Sequence, residues 1–248
     1  MTTALSELSI PGHLDFPRGW RWFGKFVVFI VITRNRFRTW RCERKRLLVL
    51  DRTIDIIRSE QSKAQAQELI HRSRVYNVAL YVLLIDRDLS ILKTLMVSSF
   101  DPWLLRFASR QIALTLYESC DDLTTVLGKD FRDSLAAIEL KEIDIKDFNT
   151  VCKRLNAFKN EHHQFLYHDI RNAVTAHRMQ DSLKFLQALE AIDPLRVFRL
   201  GGDFYEIIGR LLAFVTKSLL HMSQLPIALK EILASPKFAR STHVQPYA

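Results

Sequence analysis

The stretch HDIRNAVTAHR, residues 168–178, holds the residue types that metal-free cleavage of RNA requires. Such cleavage needs a base that takes the proton of the ribose 2′-hydroxyl, an acid that protonates the departing 5′-oxygen, and a cation that stabilises negative charge around phosphorus. Histidine serves as base or acid near neutral pH, and the planar arginine side chain matches phosphate oxygens. Arg171 and His177 are therefore the candidate catalytic residues, and Asn172 could orient the substrate or the imidazole through a hydrogen bond.

The spacing of Arg171 and His177 does not by itself establish a site. In an arginine-rich chain with eight histidines, an arginine five to seven residues ahead of a histidine is expected roughly twice by chance. Residues six apart on an ideal helix also point about 120° away from each other, so the two side chains need a local break or a second subunit to meet. A polar patch at a helix end, held by structural hydrogen bonds, is the alternative.

Three acidic residues of one predicted helix, Glu118, Asp121 and Asp122, are spaced by three and four residues and form an acidic face. The favoured interpretation is a solvated face. Alternatively, one of the three pairs with Arg171 and orients it, because a partly buried guanidinium needs a partner. No metal site is predicted, because an ion usually needs more ligands than these carboxylates and the spacing fixes no histidine beside them.

The positive charge of the chain is concentrated in residues 18–46. This segment carries ten Lys or Arg and a single acid, Glu43. The whole chain has 36 Lys plus Arg and 27 Asp plus Glu, a formal net charge of +9, so the remaining residues hold 36 minus 10 basic and 27 minus 1 acidic groups and are neutral. A basic surplus favours polyanionic partners.

Three interpretations of this basic-aromatic segment stay open. Aromatic rings among arginines can stack on unpaired bases while the guanidinium groups hold phosphate, which makes Arg36, Arg38 and Trp40 candidate RNA contacts. The same pattern suits peripheral contact with a membrane surface. In the third interpretation, apolar residues 26–32 pack on the protein body and the arginines are solvated. The apolar part is far shorter than the roughly 20 residues of a spanning helix, so no transmembrane segment is predicted.

Beyond residue 46 the apolar residues recur at helical spacing, and few glycines and prolines interrupt them, so the sequence predicts an all-α fold. Asp101-Pro102 predicts the start of a helix that continues to Gly128, which can take the positive φ of a helix end. Asp193-Pro194 predicts a short helix that stops before Gly201-Gly202, and a separate amphipathic helix follows.

Composition, charge and apolar spacing along the chain predict four regions. Residues 1–46 form a basic-aromatic arm, 47–100 an N-terminal helical region, 101–234 the main helical bundle and 235–248 a loosely ordered tail. Three widely spaced cysteines show neither a metal spacing nor a disulfide framework, and the first residues lack the pattern of a secretory leader. A reducing, cytoplasmic setting is the expectation.

The motif in its helical surroundings resembles the HEPN superfamily, the helical nucleotide-binding and ribonuclease domains of toxin-antitoxin, abortive-infection and CRISPR-linked defence systems. The family signature is an arginine, usually followed by a polar residue, and then a histidine after about four to six intervening positions. Here Asn172 directly follows Arg171, and His177 comes after five intervening positions. The ending Ala-His-Arg at 176–178 and the pattern of the preceding helix, residues 104–132, are also similar to members of this family.

The resemblance covers residues 102–222 and implies a four- or five-helix bundle that dimerises. Two copies of Arg171 and His177 would then share one cleft, with one histidine as base and the other as acid. It further implies cleavage of single-stranded RNA without metal or cofactor, Arg178 as a further substrate contact, a role as toxin or antiviral defence effector, and an antitoxin or defence-system protein as partner. Some members of the family are inactive binding or scaffolding domains, so a non-catalytic module attached to nucleic acid or a membrane surface through residues 18–46 is the alternative.

Overall fold

A computed structural model describes residues 18–99, 101–166 and 182–224 of the chain. Within these ranges the chain forms seven helices and no strand, which confirms the all-α prediction. The helices are α1 (Arg18–Ala66), α2 (Ile70–Ser98), α3 (Pro102–Val126), α4 (Lys129–Ala137), α5 (Glu142–Glu161), α6 (Ser182–Glu190) and α7 (Pro194–Met222).

Helices α2, α3, α5 and α7 form an antiparallel bundle around one apolar core. Near the start of α2, Arg72 donates to the carbonyl of Met222 at the end of α7 at 3.0 Å. Further along α2, the Lys93 amine lies 5.4 Å from the ring of Tyr205, so α7 runs opposite to α2. Since α2 and α3 are joined by a short connection and also run antiparallel, the bundle has one end where α2 terminates and both α3 and α7 begin. We call this the α2-terminal end.

The long helix α1 packs along the outside of α2 in antiparallel direction. Leu50 and Ile57 enter the core, as their helical spacing predicts. The predicted boundary between residues 46 and 47 falls inside α1, which continues through it as one helix. The predicted boundary between residues 100 and 101 does not separate two cores. Residues on both sides of it belong to one core, because α2 packs against α3 and α7 along its length.

Both Asp-Pro pairs begin a helix as predicted. The Asp101 carboxylate accepts a hydrogen bond from the backbone N–H of Trp103 at 2.8 Å, and the Asp193 carboxylate accepts from the N–H of Leu195 at 2.9 Å. The prediction that the second helix stops before Gly201-Gly202 is wrong, since α7 continues without interruption to Met222. Tertiary packing explains this, because a Cβ on Gly201 would lie only 3.3 Å from Cγ2 of Ile112, so the glycine lets α7 approach α3 closely.

The junction between α3 and α4 also differs from its prediction. Helix α3 ends at Val126, and Gly128 has a φ of −71° instead of a positive value, so it precedes α4 in an extended conformation. Its N–H donates to the carbonyl of Thr125 at 3.0 Å. A Cβ at this position would lie 2.8 Å from the Thr125 oxygen, so the need for glycine comes from a close approach of backbone atoms.

Substitution of Gly128 and of Gly202 by alanine is expected to change the free energy of unfolding in opposite directions. Gly128→Ala should lower the free energy of unfolding by about 1–3 kcal/mol, because the Cβ forces the Thr125 carbonyl away. Gly202→Ala should raise it by about 0.5–1 kcal/mol, because the position is exposed, helical and has no atom within 4 Å of a new Cβ. Chemical denaturation followed by circular dichroism measures both changes, and a loss of stability in both variants would contradict this assignment.

Candidate functional site

The candidate catalytic residues Arg171, Asn172 and His177, together with Arg178, lie outside the described residues. The structure does describe the chain on both sides of them, up to Leu166 and again from Ser182. The geometry that can be stated therefore concerns these two flanks and the other candidate residues. Their assignment as catalytic residues stays a prediction.

The first flank is attached to the start of α7. Phe165 and Leu166 are buried, at 6% and 0% exposure, and continue the core beyond the end of α5. The guanidinium carbon of Arg196, in the first turn of α7, lies 4.0 Å from the ring centroid of Phe165. A guanidinium over an aromatic ring contributes a favourable cation–π interaction. The chain thus reaches residue 166 in contact with the α2-terminal end of the bundle.

The second flank returns to the same end. Glu190, the last residue of α6, has its carboxylate 3.6 Å from Nη1 of Arg106 near the start of α3. Ile192 is buried, and Asp193 then caps α7. Both sides of the segment that carries the motif are therefore held where α3 and α7 begin.

The three acids of the candidate acidic face all lie on α3, and two of them have described partners. Asp121 forms an ion pair with Lys159 of α5 at 2.7 Å. Asp122 accepts a hydrogen bond from the hydroxyl of Tyr81 on α2 at 2.7 Å. Glu118 is exposed. Asp121 and Asp122 thus connect α3 to α5 and α2. Neither the interpretation as a solvated face nor the pair with Arg171 predicted these contacts.

The pKa values of the Tyr81 hydroxyl and of the Cys120 thiol are both raised, which favours their neutral forms. Burial raises the pKa of Tyr81, and the hydrogen bond to Asp122 with the charges of Asp122 and Glu118 raises it further. Burial also raises the pKa of Cys120 to about 12, against the opposing charge of Lys159. A thiol with this pKa supplies almost no thiolate at pH 7, so Cys120 is not suited to act as a nucleophile.

Arg36, Arg38 and Trp40, the candidate RNA contacts, lie on α1 and differ in their surroundings. Arg36 is half-buried and donates to the carbonyl of Ser99 at the end of α2, at 3.4 Å. Arg38 is exposed, and Trp40 is 38% exposed. Arg36 thus helps to hold α1 against α2, whereas Arg38 and Trp40 are accessible to a ligand.

The structure does not bring these α1 residues close to the acids of α3. Arg36 is opposite Ser99, whereas Asp122 is bonded to Tyr81, which precedes Ser99 by 18 residues on α2. At a rise of about 1.5 Å per residue, this separates the two groups by roughly 27 Å along the bundle. The basic-aromatic residues and the acidic residues therefore do not belong to one compact site.

A buried charge cluster between α1 and α2 was not predicted from the sequence. Asp86 is 2% exposed and receives two hydrogen bonds from Nη2 of Arg46, at 2.7 and 2.8 Å. Arg46 also donates to Ser90, at 2.8 Å. Glu43 is 9% exposed and accepts from Lys93 at 3.0 Å. Two sequence features could have indicated the cluster: Glu43 is the only acid of the basic segment, and Asp86 interrupts an apolar run of α2.

A small cavity of about 220 Å³ adjoins this cluster between α2, α3 and α7. Its walls are mainly apolar, and the polar groups among its lining residues are the Lys93 amine and the Tyr205 hydroxyl. Lys93 is already paired with Glu43. The cavity therefore offers no nucleophile or general base. Within residues 18–99, 101–166 and 182–224, no group of three or more His, Cys, Asp or Glu side chains is arranged to hold a metal ion.

Comparisons of the chain with protein-family models, with curated proteins and with solved structures return no match. The resemblance to the HEPN superfamily therefore depends on the residues of the motif and the helical pattern around it. The structure adds the all-α class and the positions of the two flanks.

Proposed function

We propose that the chain is a metal-independent endoribonuclease of HEPN type that cleaves single-stranded RNA and acts as a toxin or antiviral defence effector. The observation that carries the proposal is the sequence Arg171-Asn172, followed by His177, in an all-helical chain. The arginine would stabilise charge on the phosphorus centre, and the histidine would transfer the proton. Asn172 would orient the imidazole or the substrate.

The charge of the flanking surface supports an RNA substrate. At the α2-terminal end, where both flanks attach, Arg196 and Arg199 of α7 are exposed, and Arg106 of α3, which is paired with Glu190, is partly exposed. Cations on a surface raise the local concentration of a polyanion and release its counterions on binding. A single-stranded RNA would thus be attracted to the end of the bundle from which the motif segment leaves and to which it returns.

Two copies of the chain would complete the proposed site. Cleavage with leaving-group protonation uses one base and one acid, and each chain supplies one motif histidine, His177. On a regular helix Arg171 and His177 would also point about 120° apart. A homodimer with two motifs in one cleft provides both proton-transfer groups, so activity per chain should fall when the protein is diluted below its dimer dissociation constant.

Cleavage of single-stranded RNA by the full chain in the presence of a chelator tests the assignment. Arg171→Ala and His177→Ala are each expected to slow cleavage about 10²- to 10⁴-fold, the usual contribution of a positioned acid, base or charge-stabilising group. The matched controls are Arg58→Ala and His163→Ala, which replace an exposed arginine and an exposed histidine outside the motif and should cleave at the wild-type rate. Wild-type rates in the motif variants, or cleavage that the chelator stops, would contradict the proposal.

A non-catalytic binding module is the second candidate function. The observation that favours it is the exposed basic surface of α1, where Arg34, Arg38, Arg41, Arg44 and Lys45 face solvent. This surface lies outside the four-helix core and needs no active motif to bind a polyanion. RNA binding without cleavage, equal in wild type and in the two motif variants, is the outcome that would favour this candidate over the ribonuclease.

A further inference from the structure

The N-terminal part of α1 extends beyond the helix on which it packs. The antiparallel register of α1 and α2 is defined by the pairs Asp51 with Arg87, Glu43 with Lys93 and Arg36 with Ser99. Because α2 ends opposite Arg36, residues 18–35 continue as helix past its end. At about 1.5 Å per residue, this extension is roughly 27 Å long.

The sequence of the extension has an apolar centre. Residues 26–32 are seven consecutive apolar residues. An uninterrupted apolar run is favoured where apolar material surrounds it. Ile30, the one residue of this run whose side chain the structure describes, is 46% exposed.

Aromatic and basic residues stand on both sides of this apolar centre. Trp20 and Trp22 precede it in the sequence, and Phe37 and Trp40 follow it. The Phe37 side chain is 60% exposed and Trp40 is 38% exposed, with their ring centroids 5.8 Å apart. Tryptophan, arginine and lysine beside a short apolar stretch are typical of helices at the boundary between lipid headgroups and acyl chains.

A second element at the same end of the bundle repeats this chemistry. Near the start of α3, Trp103 is 56% exposed and Phe107 is 48% exposed. The guanidinium carbon of Arg106 lies 5.8 Å from the Trp103 ring, and that of Arg110 lies 5.7 Å from the Phe107 ring. Two helices that are separate in the sequence thus expose aromatic rings beside arginines at the α2-terminal end.

The aliphatic residues distinguish a lipid surface from RNA. Phosphates and bases explain the arginines and the aromatic rings, but valine and isoleucine neither stack on bases nor bind phosphate. Burial of these aliphatic side chains among acyl chains is favourable. The apolar centre is about 10 Å long, far less than the roughly 30 Å of a bilayer core. Among the described residues, no helix has the length and apolar character to cross a membrane.

We propose that residues 18–40 of α1 lie in the headgroup layer of an anionic membrane, with the apolar centre at residues 26–32 buried at the acyl boundary. The basic residues of the segment other than Arg36, which donates to Ser99, contact lipid phosphates and carboxylates, and Trp103 and Phe107 of α3 add a second contact. The proposal does not depend on the ribonuclease activity. A chain that shows no ribonuclease activity could still bind vesicles, and a chain that does not bind vesicles could still cleave RNA.

Binding of the full chain to vesicles tests this proposal, with two exposed isoleucines of α1 as a matched pair. Ile30→Asp is expected to weaken binding to phosphatidylcholine vesicles that contain roughly one third phosphatidylserine by about tenfold or more, because it places a charge in the buried centre. Ile56→Asp changes an isoleucine that is 61% exposed on the other half of the same helix and should bind like wild type. Binding to the anionic vesicles should weaken at high salt and be poor for phosphatidylcholine alone.

Three outcomes of the binding experiments, and one of light scattering, would overturn the inference. The first is equal binding of Ile30→Asp and wild type, and the second is no preference for anionic vesicles. The third is a wild type that binds single-stranded RNA through this segment but not vesicles, which would assign the surface to nucleic acid. Light scattering without lipid completes the test: if Ile30→Asp converts a dimer to a monomer, the extension covers a second copy of the chain instead of a membrane.

Discussion

Replacing Arg46 by methionine is expected to lower the free energy of unfolding by about 2–4 kcal/mol, because the buried Asp86 carboxylate loses its partner, although the Arg46 side chain itself is 37% exposed. The Asp86 side chain is only 3% exposed, and Arg46 supplies both of its charged hydrogen bonds. Methionine keeps much of the apolar stem of arginine, so the loss reports the missing guanidinium. Urea denaturation followed by circular dichroism measures it.

Two further variants separate the buried charge from other effects of the substitution. Arg58→Met removes an arginine whose ion pair with Asp55 is 70% and 67% exposed, and it should change stability by less than about 1 kcal/mol. The double variant Arg46→Met with Asp86→Leu should recover most of the loss, because apolar residues of similar size can replace a buried pair. If Arg46→Met costs no more than Arg58→Met, the buried pair does not have the role assigned to it.

Replacing Phe148 by alanine is expected to lower the free energy of unfolding by about 3–5 kcal/mol. Phe148 of α5 is 1% exposed. Its ring stacks on Phe214 of α7 with centroids 4.8 Å apart, and meets the edge of Phe131 of α4 at 5.6 Å. Removal of the ring leaves a cavity where three helices meet and takes away both aromatic contacts. Thermal and urea denaturation measure the effect.

An exposed phenylalanine provides the control for this cavity. Phe37→Ala removes the same ring at a site that is 60% exposed and should cost less than about 1 kcal/mol. The comparison tests whether the cluster of Phe131, Phe148 and Phe214 is the centre of the contact between α4, α5 and α7. Equal losses in Phe148→Ala and Phe37→Ala would show that it is not.

Local sequence patterns predicted helix starts and buried stripes correctly, because their causes act within a few residues. Asp101 and Asp193 each cap a helix through a hydrogen bond to a residue two positions later. The apolar residues at helical spacing along α3 and at its C-cap are buried, as this spacing predicts: Ile112, Leu116, Cys120, Leu123 and Leu127. These predictions required no knowledge of the rest of the fold.

Predictions about glycines were wrong because they assumed that a glycine marks the end of a helix or a positive φ, whereas both glycines accommodate a close approach of other atoms. Gly201 stands inside α7, where the neighbouring α3 requires a small residue. Gly128 is needed for the approach of its own backbone to Thr125 and not for a positive φ. Glycine has several structural uses, and the sequence does not distinguish a break in a helix from a close contact with another one.

For the candidate site, the residue types can be read from the sequence, whereas the contacts of the acidic residues involve distant parts of the chain. The residue types at Arg171, Asn172 and His177 are read directly from the sequence and carry the proposed chemistry. The partners of the acidic residues are not local, since Asp122 is bonded to Tyr81, 41 positions away. Asp121 is paired with Lys159 on another helix.

The sequence by itself determined the all-helical class, the capped helix starts, the concentration of positive charge in residues 18–46 and the composition of the candidate catalytic motif. These follow from backbone propensity, hydrophobic period and charge, which are properties of short segments. Only the tertiary structure decided that Asp86 and Glu43 are buried between α1 and α2, and that α1 extends past the end of α2. The burial of these acids and the register of α1 on α2 depend on contacts between residues that are 36 to 63 positions apart in the sequence. No local sequence pattern encodes such contacts.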